Sequence, residues 1–259
     1  IDAAGVSGNY FAAYENNPNL KQAPTTSTFR MALNYTDIPN GRVANEFLKN
    51  AQLRQALYLA IDRNTLATTI RKPAIAQPGF LSNQYYATEQ SPYAYRETDA
   101  AKDAYTVLTT KAHGYDAEKA LTLFDQALAT FGTKNISIEI LYFDSETNKQ
   151  LVEWIADTVS TVFQTKAGQK NAGRFAFTFK PVSSDAIEAA WDSKAYDITM
   201  SGWQGINFNP LSLLGQVFNS NPNYVANATE NLTNTADFAI EVKLPSVKAG
   251  LASWISEYN

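Results

Sequence analysis

Two hydrophobic periods alternate along the chain, and each change of period marks a change of element. In "STFRMALNY" (27–35) the apolar residues Phe29, Met31, Leu33 and Tyr35 fall on every second position, the pattern of a half-buried strand. From Asn50 the spacing changes to three and four. Leu53, Leu57, Ala60 and Ile61 form one stripe of a helix with Asn50 placed to cap it, and Asp62 is placed to cap a shorter helix carrying Leu66 and Ile70. Residues 100–109 and 116–131 also read as helices, the second capped by Asp116 and stopped at Gly132. The clearest run follows. "ISIEILYF" (136–143) alternates, 147–166 carries Leu151, Trp154, Ile155, Val159 and Val162 at helical spacing, and "RFAFTFKPV" puts Phe175, Phe177 and Phe179 on one face. "SSDAIEAAWD" is a short helix, and "AYDITMSGW" (195–203) is a further strand. Strand, helix, strand, helix, strand is a βαβαβ unit with a parallel core, so the fold class is α/β with additional helices.

Two stretches have neither period. Residues 72–99 hold three prolines and five aromatics, a composition expected of an ordered functional loop. The other, "YDITMSGWQGINFNP" (196–210), begins as a strand and ends in Gly202, Trp203, Gly205, Asn207 and Asn209. It sits at the carboxyl end of a sheet strand, where α/β proteins place ligands. Beyond it an asparagine-rich stretch (219–234) reads as a surface loop, and about 236–258 reads as a closing helical region.

Composition removes several function classes. The chain has 259 residues and a net charge of −4 without a basic cluster, which argues against nucleic acid as a partner. There is no cysteine, so disulfides, thiolate nucleophiles and cysteine metal sites are excluded. The single histidine, His113, reads as a surface residue at a helix end, with general base or lone ligand as the alternative. Asp185 with Glu188, and Glu153 with Asp157, lie one helical turn apart and would suit an acid–base pair. Carboxylates at that spacing are more commonly solvated helix faces, and Asp185 lies where a helix start favours negative charge. A hydrolase using Asp185, Glu188 or Asp197 is therefore a rival reading.

Two stretches together carry a resemblance. "LRQALYLAIDRNTL" (Leu53–Leu66) resembles the arginine- and aspartate-containing helix of the dipeptide- and oligopeptide-binding proteins, the extracellular solute-binding proteins of family 5. "YDITMSGWQGINFNP" is similar to that family's strand ending in Gly-Trp, "AIAQPGFLSNQYY" (74–86) to its proline-rich cleft loop, and "PNLKQAPTTSTFRMALNY" (18–35) to its crossing between lobes. The resemblance covers about 1–218.

It implies one lobe, residues 1–259, of a larger two-lobed protein with the periplasmic-binding-protein fold of the type II, cluster C-like kind, with a core over about 28–218. It further implies that the chain is the second lobe alone, a receptor delivering peptides to the membrane permease of an ABC importer. No catalysis and no cofactor are expected. The protein would be an extracellular, lipid-anchored monomer in a Gram-positive cell, or periplasmic. Trp203 is expected as a flat wall of the cleft, Gly205 as a point of close backbone approach, and Asn207, Asn209, Phe80 and Tyr85 as further ligand contacts. Arg54, Asp62 and Arg63 are expected to tie helices together. Ile206 stands where many members carry an aspartate that meets the peptide amino group, which implies a ligand held mainly by backbone hydrogen bonds and aromatic walls, or one that lacks a free amino terminus. A non-peptide receptor for sugar or nickel, and an adhesion or pheromone-binding protein, share the fold.

Overall fold

A computed structural model describes residues 6, 11–23, 25–35, 37, 43–78, 81–86, 94–203, 239–241 and 248–250. Its main sheet has four strands: β1 (Thr28–Leu33), β2 (Ile136–Phe143), β3 (Phe175–Val182) and β4 (Ile198–Trp203), in the order β1-β4-β2-β3. β2 runs parallel to both β3 and β4, and β1 is antiparallel to β4. The expected βαβαβ unit is thus present, with its first strand at the centre. The helices are α1 (Phe11–Tyr14), α2 (Ala51–Ala60), α3 (Arg63–Thr69), α4 (Asp99–Thr106), α5 (Ala117–Phe131), α6 (Glu146–Val162) and α7 (Ser184–Asp192).

Placing β2 centrally sends the two crossovers in opposite directions. With both right-handed, their helices must cover opposite faces. α6 and α5 pack on one side with Ile136, Ile138 and Ile140, while Ile187 of α7 packs on the other with Leu141 and Tyr196. Ile140, Leu141 and Tyr142 are consequently all buried, where strict alternation would leave every second residue outside. Within the larger core Phe124 stacks on Phe163 at 4.0 Å between centroids, and Phe175 meets both rings edge-on. Phe179, on the same face of the edge strand, is left exposed.

The helix starts follow the expected local chemistry. The side chains of Asn50, Asp62 and Asp116 accept from the backbone N–H of Leu53, Thr65 and Lys119, each satisfying one orphan donor of its helix. Ser145 and Ser183 cap α6 and α7 in the same way. Gly132 ends α5 at φ 61°.

One expectation changes. Within about 236–258, read as helical, the described residues form two short antiparallel strands, β5 (Ala239–Glu241) and β6 (Lys248–Gly250). Pro245, between them in the sequence, lacks the N–H a helix interior needs, which disfavours one continuous helix.

Candidate functional site

The candidate site is the corner where β4 ends and β1 begins. Their register sets Trp203 opposite Thr28 and Gly202 opposite Phe29, so Gly202 and Phe29 share a face of the sheet. Gly202 is exposed, and an added Cβ would meet only Ser27 Oγ, at 3.7 Å. Nothing in the described fold therefore requires glycine at 202. Phe29 is 38% exposed, and the Arg71 guanidinium lies over its ring at 4.0 Å. Burial pushes Arg71 below the ordinary arginine range. Sequence reading missed this Arg71–Phe29 pair. The only local signal was a basic "RK" following the short helix α3, which reads equally well as a helix-end charge.

Of the expected ligand residues, Trp203 closes β4 as anticipated. Phe80, Gly205, Asn207 and Asn209 lie outside the described residues, as does Ile206. Tyr85 is fully buried. Its backbone N–H donates to the Ser82 carbonyl, its own carbonyl accepts from Tyr95 N–H at 2.7 Å, and Tyr86 bridges to Ala94. The described part of the 72–99 loop is thus ordered around an interior tyrosine. Tyr58 Oη donates to the Pro78 carbonyl at 3.2 Å, fastening the proline-rich stretch to α2.

The motif residues serve architecture. Arg54 Nη1 donates to the carbonyls of Leu48 and Lys49, at 2.7 and 2.9 Å, and the guanidinium covers the Tyr35 ring at 4.3 Å. Asp62 caps α3. Arg63 reaches four carbonyls: Tyr58 at 3.0 Å, Ile61 at 3.2 Å, His113 at 3.3 Å and Gly114 at 3.5 Å. It also lies over the Tyr58 ring at 4.1 Å. One side chain thereby joins the end of α2, the start of α3 and the turn before α5. Burial lowers its pKa, opposed by neighbouring Tyr58. His113 sits in that turn at φ 57°, away from any α-helix C-terminus, and supplies a carbonyl to Arg63. Gly114 follows at φ 71°, and a Cβ there would come within 2.7 Å of Tyr58 Oη.

The carboxylates do not converge on the corner. Asp185 and Glu188 are exposed on α7, and Glu153 and Asp157 are exposed on α6, with Asp157 paired to Lys166 at 2.6 Å. Asp197 is buried just before β4, roughly 20 Å along the strand from Trp203. Its Oδ2 accepts from Asn45 Nδ2 at 2.8 Å and Glu139 N–H at 3.1 Å, and its carbonyl accepts from Asn34 N–H at 2.8 Å. Asp197 therefore joins β2, β4 and the chain after β1. Among the described residues no group of three or more His, Cys, Asp or Glu could hold a metal ion, and no helix is long and apolar enough to cross a membrane.

The sequence profile described as "Bacterial extracellular solute-binding proteins, family 5 Middle" matches residues 1–224. Solved structures share the fold. The pheromone receptor PrgZ, solved for its mode of peptide binding, superposes with a TM-score of 0.68 at 19% identity over 87% of this chain and 39% of that one. OppA of Listeria monocytogenes bound to peptide gives 0.66 at 21% identity, over 87% of this chain and 40% of that one. A peptide-binding protein of a peptide ABC transporter gives 0.59 at 24% identity, over 80% of each chain. The chain thus spans about two fifths of the length of PrgZ and the Listeria OppA. No curated protein sequence matches it.

Proposed function

The chain belongs to the bacterial extracellular solute-binding proteins of family 5, and from that membership we propose that it forms the second lobe of a two-lobed peptide receptor serving an ABC importer. The observation that carries this is the corner at the end of β4. A Gly-Trp pair closes a sheet strand there, beside an exposed phenylalanine, at a glycine that the described fold leaves open. An open glycine on an extended strand end lets a ligand backbone approach closely, and the strand end is where an α/β sheet receives ligands. Trp203 is assigned to the cleft wall, Gly205 to close backbone approach, and Asn207, Asn209 and Phe80 to further contacts, whereas Tyr85, expected as a contact, is buried and offers the ligand no surface.

Binding then selects the closed arrangement of two lobes about a hinge, and the ligand is handed to a permease without chemical change. The protein acts as a monomer on the outer side of the membrane, lipid-anchored in a Gram-positive cell or free in a periplasm. Nutrition and signalling share this design, and the identity of the cargo separates them.

The test is to purify the complete two-lobed protein without refolding, record native mass spectra, and sequence what acid releases. A heterogeneous set of short peptides is the expected cargo. A single non-peptide adduct, or a protein that no peptide mixture stabilises, would sink the proposal and favour the sugar or nickel branch of the family.

A further inference from the structure

We propose that Tyr58 is a positioning residue for ligand binding: its hydroxyl holds the middle of the proline-rich loop, residues 72–86, in the arrangement that receives a ligand. The inference rests on the peptide-receptor reading of the preceding subsection.

The helical layer fixes the Tyr58 side chain independently of the loop. Tyr58 lies near the end of α2, half-buried against the core. The Arg63 guanidinium covers its ring at 4.1 Å and donates to its carbonyl at 3.0 Å. The turn before α5 confines the hydroxyl. Gly114 stands there at φ 71°, and a Cβ at that position would come to 2.7 Å from Tyr58 Oη. The missing side chain at 114 leaves the hydroxyl its room. So confined, Oη points at the loop and donates to the Pro78 carbonyl at 3.2 Å.

The loop depends on that bond. Its start is tied by Lys72 Nζ to Glu15 at 2.8 Å, and its far end by the Tyr85 carbonyl, which accepts from Tyr95 N–H at 2.7 Å. Across 75–78 the bond from Tyr58 is, among the described residues, the one hydrogen bond that reaches the rest of the fold. Pro73 and Pro78 have no N–H to donate. Burial adds little: Ala76 is buried, but Ala74, Ile75 and Gln77 are exposed. Phe80, assigned to the ligand, follows Pro78 by two residues in the sequence. A loop ordered in advance spares the ligand the entropy cost of ordering it. A loop in place for only a fraction of the time lowers the apparent affinity by that fraction. Tyr58 thus acts on affinity through the loop, without touching the ligand.

The test uses the complete two-lobed protein and Tyr58→Phe, which keeps the ring and its arginine stack and removes the hydroxyl. Asn171→Ala is the structural control. Asn171 holds Asp125 and the Phe163 carbonyl, and it precedes β3 at the sheet end opposite the corner. Hydrogen exchange read by mass spectrometry reports the loop in the ligand-free proteins. Titration calorimetry reports affinity for one probe, the peptides of a casein digest. Tyr58→Phe should speed exchange across 74–86 by about fivefold and weaken binding of the digest by about the same factor. Asn171→Ala should change neither. Unchanged loop exchange in Tyr58→Phe overturns the inference. So does faster exchange with unchanged affinity, or a loss of affinity that Asn171→Ala shares, and in each of these cases peptide binding itself stands. Failure of the digest to bind the wild type overturns the peptide-receptor reading and this inference with it.

Discussion

The helical layer and the sheet corner each stack arginine on an aromatic ring, yet the two regions use the guanidinium differently. Over Tyr58, Arg63 donates to four carbonyls, and over Tyr35, Arg54 donates to two. Over Phe29, Arg71 has, among the described residues, the ring alone. Ring contact is common to all three and does not distinguish them. The number of carbonyls gathered does: a guanidinium that donates to several carbonyls of its own fold holds elements together, whereas among the described residues the Arg71 side chain donates to none. The most specific part of the family resemblance, the Arg54–Asp62–Arg63 helix, thus turns out to be architectural.

Arg63→Met gives the largest effect that follows from this contrast. It strands carbonyls of α2 and of the 112–114 turn and should cost about 3 kcal/mol in urea unfolding. A loss no greater than that of an exposed arginine would dissolve the distinction. Gly114→Ala attacks the same junction from the backbone. A side chain at φ 71° pressed against Tyr58 Oη should cost about 2 kcal/mol and lower the Tm.

Asp116→Ala removes the α5 cap beside that turn, at about 1 kcal/mol. The Asp116 carboxyl also links this junction to pH. Burial raises its pKa, but hydrogen bonds from Lys111, the Lys119 N–H and Thr109 outweigh that and leave it below the ordinary value. A carboxyl depressed in the folded state stabilises above its unfolded pKa of about 3.9, and that stabilisation is lost as pH falls through the folded value. Acid titration should therefore destabilise the wild type more than Asp116→Ala, and the gap between them should narrow below about pH 4.

Arg71→Gln stands at the small end for stability. With no side-chain hydrogen bond among the described residues to lose, it should shift the unfolding free energy by less than about 0.5 kcal/mol. A large stability loss would return Arg71 to the architectural class. Asp197→Ala offers a separate check on the hydrolase rival. It should cost about 2 kcal/mol by stranding the Glu139 N–H and Asn45 Nδ2, with no turnover to abolish.

Local chemistry made much of the fold legible. Asn50, Asp62 and Asp116 were readable as caps because a cap bonds within three residues of itself. The strands at 136–143 and 175–182 were readable because alternation needs only one buried face. In the closing region, read as helical from the apolar pattern toward residue 258, residues 239–241 and 248–250 are strands, and Pro245 between them lacks the N–H that a continuous helix needs. At the candidate site the strand end at Trp203 was legible from its alternation, whereas the Arg71–Phe29 contact was not. Phe29 is distant from Arg71 along the chain, and sequence offers no register between them.

The sequence by itself determined the α/β class, the βαβαβ order, the helix starts, and the absence of charge across 73–88 and 198–229. These depend on periods, caps and counts that a few neighbouring residues settle. Only the tertiary structure decided that β2 is central with both faces covered, that Asp197 is a structural acceptor, and that Arg63 gathers four carbonyls where Arg71, among the described residues, gathers none. Each of those depends on which distant segments the sheet register and helix packing bring together, and a donor's satisfaction is a property of that meeting alone.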